Sequence, residues 1–289
     1  MISQMEIAAD ALPGNILRDK RKKIRVRQWT KSRIWTTCVF AVLLVLTVYT
    51  FLTMEFGGIV LSEAVRSFLQ NLFQMFLQPR LSGRFSLVSL LEALSITIGL
   101  SILTTMIGAV AAFILSLLAA RNLSSRWLSQ TVRVVMSFIR AVPTILWVLI
   151  FSVVAGLGAE AAVVGMVFHS VAYLTKAYSE SIEEIDIGVI EALRATGASW
   201  WQIVFQAVLP SSLTALLSWT FIRFEINFTN AVAVGAAAGA GGIGFQLFMI
   251  SGYYFDLHEL GVIVYMTMFV AAVLELISTK LRAAYLVKT

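Results

Sequence analysis

Three groups of residues in this chain have types and spacings that could do chemistry. Gly239, Gly241 and Gly244 in "VGAAAGAGGIGFQ" satisfy G-x-G-x-x-G, the spacing that cradles a dinucleotide pyrophosphate. That reading requires a preceding strand, a following helix and a surrounding βαβ unit. Arg223, Glu225, Asn227 and Asn230 in "WTFIRFEINFTNAVAVG" place charge inside an apolar stretch. Arg223, Asn227 and Asn230 fall at i, i+4 and i+7, one stripe of a helix, while Glu225 points about 200° away from Arg223 and needs a different partner. A stripe holding one fixed cation suits passage of an oxyanion, and a cation that only ties helices together is the other reading. His169 is the third candidate, read first as a packed, hydrogen-bonded histidine. No phosphate-binding G-x-x-x-x-G-K-[ST] occurs, and one cysteine with two distant histidines, His169 and His258, offers no metal-ligand cluster. No cofactor and no catalytic engine is expected of this chain.

The elements that must hold these residues are set by composition. Hydrophobic residues make up 59% of the 289 and charged residues 13%, against about 25% charge in soluble chains, and mean hydropathy is +0.86. Ile34–Met54, Ala93–Ala120, Ala141–Ala159 and Ala161–Thr175 carry no Asp, Glu, Lys or Arg. A bilayer crossing takes about 20 apolar residues. The fold class is therefore all-α, a polytopic membrane protein with about six spans, placed at 34–54, 93–120, 142–157, 161–177, 211–235 and 259–279. The first apolar run is too long for a cleavable signal and follows a long polar leader, so it reads as a retained span.

Charge orients the spans. Six crossings return both termini to the same side. With the leader cytoplasmic, 18 of the 22 Lys and Arg lie inside, three (Arg66, Arg80, Arg84) lie outside and Arg223 lies in the membrane. That asymmetry predicts both termini in the cytoplasm of a bacterial plasma membrane. The basic leader, residues 1–33, then faces anionic lipid and not nucleic acid. In "LSEAVRSFLQNLFQMFL" Leu61, Val65, Phe68, Leu69, Leu72, Phe73 and Phe76 recur at helical spacing, predicting an amphipathic helix flat on the outer surface. Residues 34–85 thus hold the first span and this interfacial helix. Between Lys176 and Pro210 runs a 33-residue cytoplasmic connection, and long connections tend to be functional.

Within that connection, "EALRATGASWWQIVFQAVLP" sets small Ala192, Ala195, Gly197 and Ala198 beside Trp200, Trp201, Ile203 and Phe205. Small residues let another surface approach the backbone, and aromatic anchors dominate interface energy. Pro210 predicts a boundary that starts the next span at a defined angle. The segment resembles the loop signature of permease subunits of binding-protein-dependent ABC importers. Glu191, Ala192, Gly197, Leu209 and Pro210 match at the required spacing, with Leu193 and Ala207 as departures. "RFEIN" leading to "GAGGIG", and "VFHSVAYLTKAYSESIEEID", also resemble the phosphonate-transporter subgroup, although Thr229 stands where that subgroup often has a basic residue.

The resemblance covers residues 86–285 and implies a type I ABC importer permease domain, with 177–210 as its ATPase-docking loop. It implies a separate cytoplasmic ATPase dimer docked on Glu191, Ala192, Gly197, Leu209 and Pro210, which hydrolyses the ATP. It also implies an extracytoplasmic substrate-binding protein, and two copies of the chain are expected across a two-fold axis. The cargo would be a phosphonate-like, phosphate-like or phosphite-like oxyanion. Arg223, Glu225, Asn227, Asn230, Gly241, Gly242 and Gly244 are the expected pathway residues, the glycines at the outer mouth and not a nucleotide site. The alternative is a proton-coupled secondary transporter of a small anion, working through Glu225 or His169.

Overall fold

The computed structural model describes residues 16–18, 24–26, 31–54, 58 and 60–286. Most of the basic leader lies outside the described residues. The chain divides into two units, residues 1–65 and 66–289.

In the first unit β1 (Ile16–Arg18) pairs antiparallel with β2 (Ile24–Val26), Ile16 opposite Val26. This hairpin was not expected within the leader. Helix α1, Lys31–Thr53, is 23 residues long with no buried side chain, enough at 1.5 Å per residue to cross a hydrocarbon core of about 30 Å. Its threonines hide their hydroxyls: Thr47 donates to the Leu43 carbonyl and Thr50 to that of Leu46, both at 2.8 Å. Helix α2, Leu61–Leu77, begins in this unit.

The second unit is a helical bundle. The α2 C-terminus is tied down there by Tyr265, whose hydroxyl donates to the Phe76 carbonyl at 2.7 Å. Phe68, Leu69 and Phe73 of α2 remain exposed, an apolar face suited to lipid. Helix α3, Leu87–Ala119, is capped by Ser86, whose hydroxyl accepts from the Ser89 amide. Helices α4, Arg126–Ala141, and α5, Thr144–Ala155, meet at 90°. Pro143 causes the corner: it pushes Val142 into extended backbone (φ −96°, ψ 127°) and ends α4. Trp147 secures it, donating from Nε1 to the Ile139 carbonyl at 2.8 Å.

Helix α6, Ala159–Glu183, packs against α3, α4, α5 and the later helix α9. Two glycines permit the close approach. A methyl group on Gly165 would sit 2.6 Å from the Val148 amide of α5, and one on Gly108 of α3 2.8 Å from the Ser170 Cβ of α6. Next come α7, Ile187–Ala195, and α8, Trp200–Ile203, with a π-turn, Val204–Val208, running into α9, Leu209–Ala238. The boundary expected at Pro210 is absent: one helical rod runs from Trp200 to Ala238. The wider π-turn relieves the clash between a proline ring and the preceding turn. Helix α10, Gly242–Phe248, a second π-turn, Met249–Tyr254, and α11, Leu257–Leu286, complete the unit.

By length and composition four helices among the described residues can span a membrane, α1, α3, the α8–α9 rod and α11, and five if the bent pair α4–α5 counts as one. Six were expected. The segment at 142–157 is not a span by itself, because α5 has 12 residues, about 18 Å of helix. The segment at 161–177 lies in α6, whose 25 residues are long enough. Much of its surface faces other helices, which removes the need for an apolar exterior.

Candidate functional site

The segment Glu191–Pro210 is a folded helical corner and not an open loop. Asp186 caps α7, its carboxylate accepting from the Gly188 amide at 2.8 Å. Ser199 and Gln202 form a reciprocal capping box on α8. Gly197 makes the turn between them at φ +81°, a left-handed backbone that glycine adopts without steric cost. Ile190, Ile203, Val204 and Val208 are buried against Leu117, Ala120, Leu123 and Ile182. Arg194 donates to the Asn122 carbonyl at 2.9 Å and Trp200 Nε1 to the Leu123 carbonyl at 3.1 Å, fastening the corner to the α3–α4 turn.

The outward surface is thereby defined. Glu191, Ala192, Gly197 and Pro210 are exposed and Leu209 is half-buried. The four apolar anchors expected to serve one interface divide. Trp200 and Ile203 pack inward, whereas Trp201 and Phe205 are exposed with rings stacked 5.9 Å apart.

The second candidate region lies midway along α9. Arg223 is 1% exposed and Asn227 0%. Arg223 Nε donates to the Ser170 hydroxyl at 3.0 Å, and Nη2 lies 3.2 Å from Nδ1 of His169. The guanidinium also sits over the Tyr173 ring, 5.1 Å from its centroid. Since arginine only donates, His169 accepts at Nδ1 and holds its own proton on Nε2. Among the described residues no carboxylate lies within 4 Å of Arg223. Asn227 donates to Thr105 at 2.9 Å and contacts the Ser170 hydroxyl at 3.0 Å.

Within the chain, Arg223 and Asn227 of the expected stripe cross-link α9 to α6 and α3, and Asn230 alone of the three is half-buried. The groups that sequence reasoning missed are the partners. Thr97, Ser101, Thr104 and Thr105 form a buried polar ridge on α3, legible afterwards in the spacing of "TIGLSILTT". Ser170 and Tyr173 supply the matching face of α6. Glu225 does find a different partner, Arg282 of α11 at 3.7 Å, beside a cleft that Thr229 and Glu275 also line.

The glycine segment follows helix α9, with no strand before it. Gly239 ends α9 at φ +62°, and Gly241 is half-buried. Gly242 and Gly244 are buried. A side chain on Gly244 would overlap the Val232 carbonyl, and one on Gly242 would overlap the Thr97 hydroxyl, which accepts from the Ile243 amide at 2.9 Å. Gly244 therefore permits close backbone packing of α10 on α9, and Gly242 close approach of α10 to Thr97 of α3.

Between α10 and α11 a charged turn closes the bundle. Asp256 lies 3.9 Å from Arg84, and Arg84 sits 4.5 Å over the Tyr254 ring. Burial opposes ionisation of Asp256, but the Ser82 hydroxyl, the amides of Glu259 and His258 and the Arg84 charge outweigh it and hold the carboxyl below its ordinary value.

Residues 112–285 match the family described as "Binding-protein-dependent transport system inner membrane component". The chain is 35% identical over 162 residues to the phosphate-import permease protein PhnE of Mycolicibacterium smegmatis, covering 56% of this chain and 30% of that protein. It is 36% identical over 152 residues to the phosphite transport system permease protein PtxC of Stutzerimonas stutzeri, covering 52% and 55%. The match thus spans about half or less of these relatives. Among solved structures, an inward-facing MetNI methionine ABC transporter superposes with a TM-score of 0.62 at 21% identity, over 69% of this chain and 97% of that one. That likeness is one of fold.

Proposed function

The chain belongs to the family of binding-protein-dependent transport system inner membrane components, and on that footing we propose that it is the membrane-spanning permease subunit of an ATP-driven importer of a small oxyanion. The single observation that carries the reading is the Glu191–Pro210 corner. A rigid pair of short helices, anchored by its apolar face to the end of α3, presents Glu191, Ala192 and Gly197 outward. Such a surface suits a cytoplasmic ATPase subunit, whose closure it would transmit along the continuous Trp200–Ala238 rod. In this reading ATP is hydrolysed by the partner, both termini are cytoplasmic and two copies enclose the route. An extracytoplasmic binding protein delivers the cargo.

An oxyanion cargo is supported by the two relatives, named as phosphate and phosphite permeases. It is also supported by the buried Arg223, which has no carboxylate within 4 Å among the described residues. His169 and Tyr173 are half-buried, with Arg223 behind them. We assign the route to their face of α6, and Arg223 supplies positive potential there from the second layer. Glu225, held by Arg282, borders the rod on its other side, and Asn230, Gly241, Gly242 and Gly244 shape the end of α9. The test is reconstitution with an ATPase and a binding protein encoded beside this chain. ATP-dependent uptake of phosphate, phosphite or methylphosphonate into vesicles is expected. Uptake of an uncharged or zwitterionic cargo in place of all three would overturn the oxyanion assignment.

A further inference from the structure

A second polar site lies beside the Arg223 network, which it meets where the Arg140 backbone hydrogen-bonds His169. Between α4 and α6 is a cavity of about 170 Å³ lined by Arg133, Ser137, Arg140, Thr175, Lys176 and Ser179, with Glu180 at its edge. That is several times the roughly 30 Å³ share of one water. Two of its lining groups are buried donors without a partner, the Arg140 Nε and the Thr175 hydroxyl. Thr175 is 1% exposed. Its behaviour is unlike that of Thr97, Thr104, Thr105 and Thr220, each of which donates to the carbonyl four residues back.

The charges around the cavity are unequal in their freedom. Arg133 is bonded to Glu183, and Lys176 pairs with Glu180 at 3.6 Å on the exposed rim. Arg140 has no carboxylate within 4 Å among the described residues; its Nη2 meets only the Ser137 hydroxyl, at 3.4 Å. A cationic ligand would be repelled, and an apolar one would leave both donors unmet. A small tetrahedral anion accepts from a hydroxyl and a guanidinium fork together.

We infer that the α4–α6 cavity binds a small tetrahedral oxyanion of the phosphate class, held by Arg140 and Thr175 with Lys176 at its mouth. This deepens the proposed function and rests on it only for placing the site along the transport route. A lipid phosphate headgroup has the same chemistry as free phosphate, so the test separates the two.

The full chain is placed in nanodiscs of phosphatidylcholine, and binding of radiolabelled inorganic phosphate is measured by equilibrium dialysis. Saturable binding is expected, with Kd raised at least tenfold in Arg140→Gln and in Thr175→Val. Thr175→Ser, which keeps the hydroxyl, should bind as the native chain does, and size-exclusion profiles report whether each variant is folded. A parallel arm follows retention of phosphatidylglycerol by native mass spectrometry. Retention lost in Arg140→Gln, without phosphate binding, supports the anion site and identifies the headgroup as its occupant. If neither ligand binds, or if folded Arg140→Gln and Thr175→Val bind like the native chain, the inference is overturned. Phosphate binding that responds to these substitutions in a chain that supports no oxyanion uptake would remove the importer reading and leave the site standing.

Discussion

Arg223 Nε reaches the Ser170 hydroxyl at 3.0 Å, a bond from α9 to α6 that satisfies the donor and leaves the positive charge uncompensated. A central arginine costs roughly 2.5–3.5 kcal/mol on insertion scales. Its partners, the Ser170 hydroxyl, His169 Nδ1 and the Tyr173 ring, include no carboxylate, and a neutral donor would serve the hydroxyl bond equally.

Arg223→Gln separates bond from charge. It retains an N–H donor for Ser170 and removes the field behind His169 and Tyr173. The expected result is a folded, assembled complex whose oxyanion uptake falls at least tenfold, with Arg223→Lys intermediate because it keeps charge without the fork. Uptake at native rates by well-assembled Arg223→Gln would reduce Arg223 to a helix tie. Loss of folded protein in both variants would do the same.

Gly197 is exposed at φ +81°, and a methyl group there meets open space. Gly197→Ala should therefore cost about 1–2 kcal/mol through backbone strain alone and still bind the ATPase subunit. Gly197→Arg adds the same strain plus bulk on the outward face, and should abolish co-purification of the ATPase while membrane insertion persists. Equal behaviour of the two variants in pull-down assays would show that the corner is not the docking surface.

The Gly244 site tests backbone packing. Because an added Cβ overlaps the Val232 carbonyl, Gly244→Ala must push α10 off α9, at a cost of about 1–3 kcal/mol. Thermal unfolding in detergent should register the loss. Gly239→Ala, which meets no neighbouring atom, pays only the left-handed backbone strain and should lose less. The reverse order would contradict the packing described.

Asp256 carries a pH prediction. Its carboxyl is held below the ordinary value of 3.8, so its contribution is fully present above that value and disappears as pH falls through the lower folded one. Detergent-solubilised protein should show an acid limb below about pH 4, and Asp256→Asn should flatten it. An unchanged limb in the variant would assign acid sensitivity to other carboxylates.

Much of this protein is legible from its residues in order. Long uncharged runs fix the membrane class, because no buried backbone or charge is tolerated in hydrocarbon without internal partners. The glycine segment could be refused as a nucleotide site because an apolar helix, and not a strand, leads into it. Spacing alone placed Glu225 away from Arg223, and Arg282 is the partner it met. Tertiary structure decided what each polar group touches. Nothing local in "RFEIN" says that Arg223 and Asn227 turn inward to Ser170 and Thr105, contacts 53 and 122 residues distant. Nor does "SWWQIVF" say that Trp200 packs inward while its neighbour Trp201 stays exposed. The corner at Pro143 and the continuous helix through Pro210 differ for the same reason. A proline removes one donor wherever it stands, but whether the chain bends or absorbs it depends on the turn before it and on the helices packed around it.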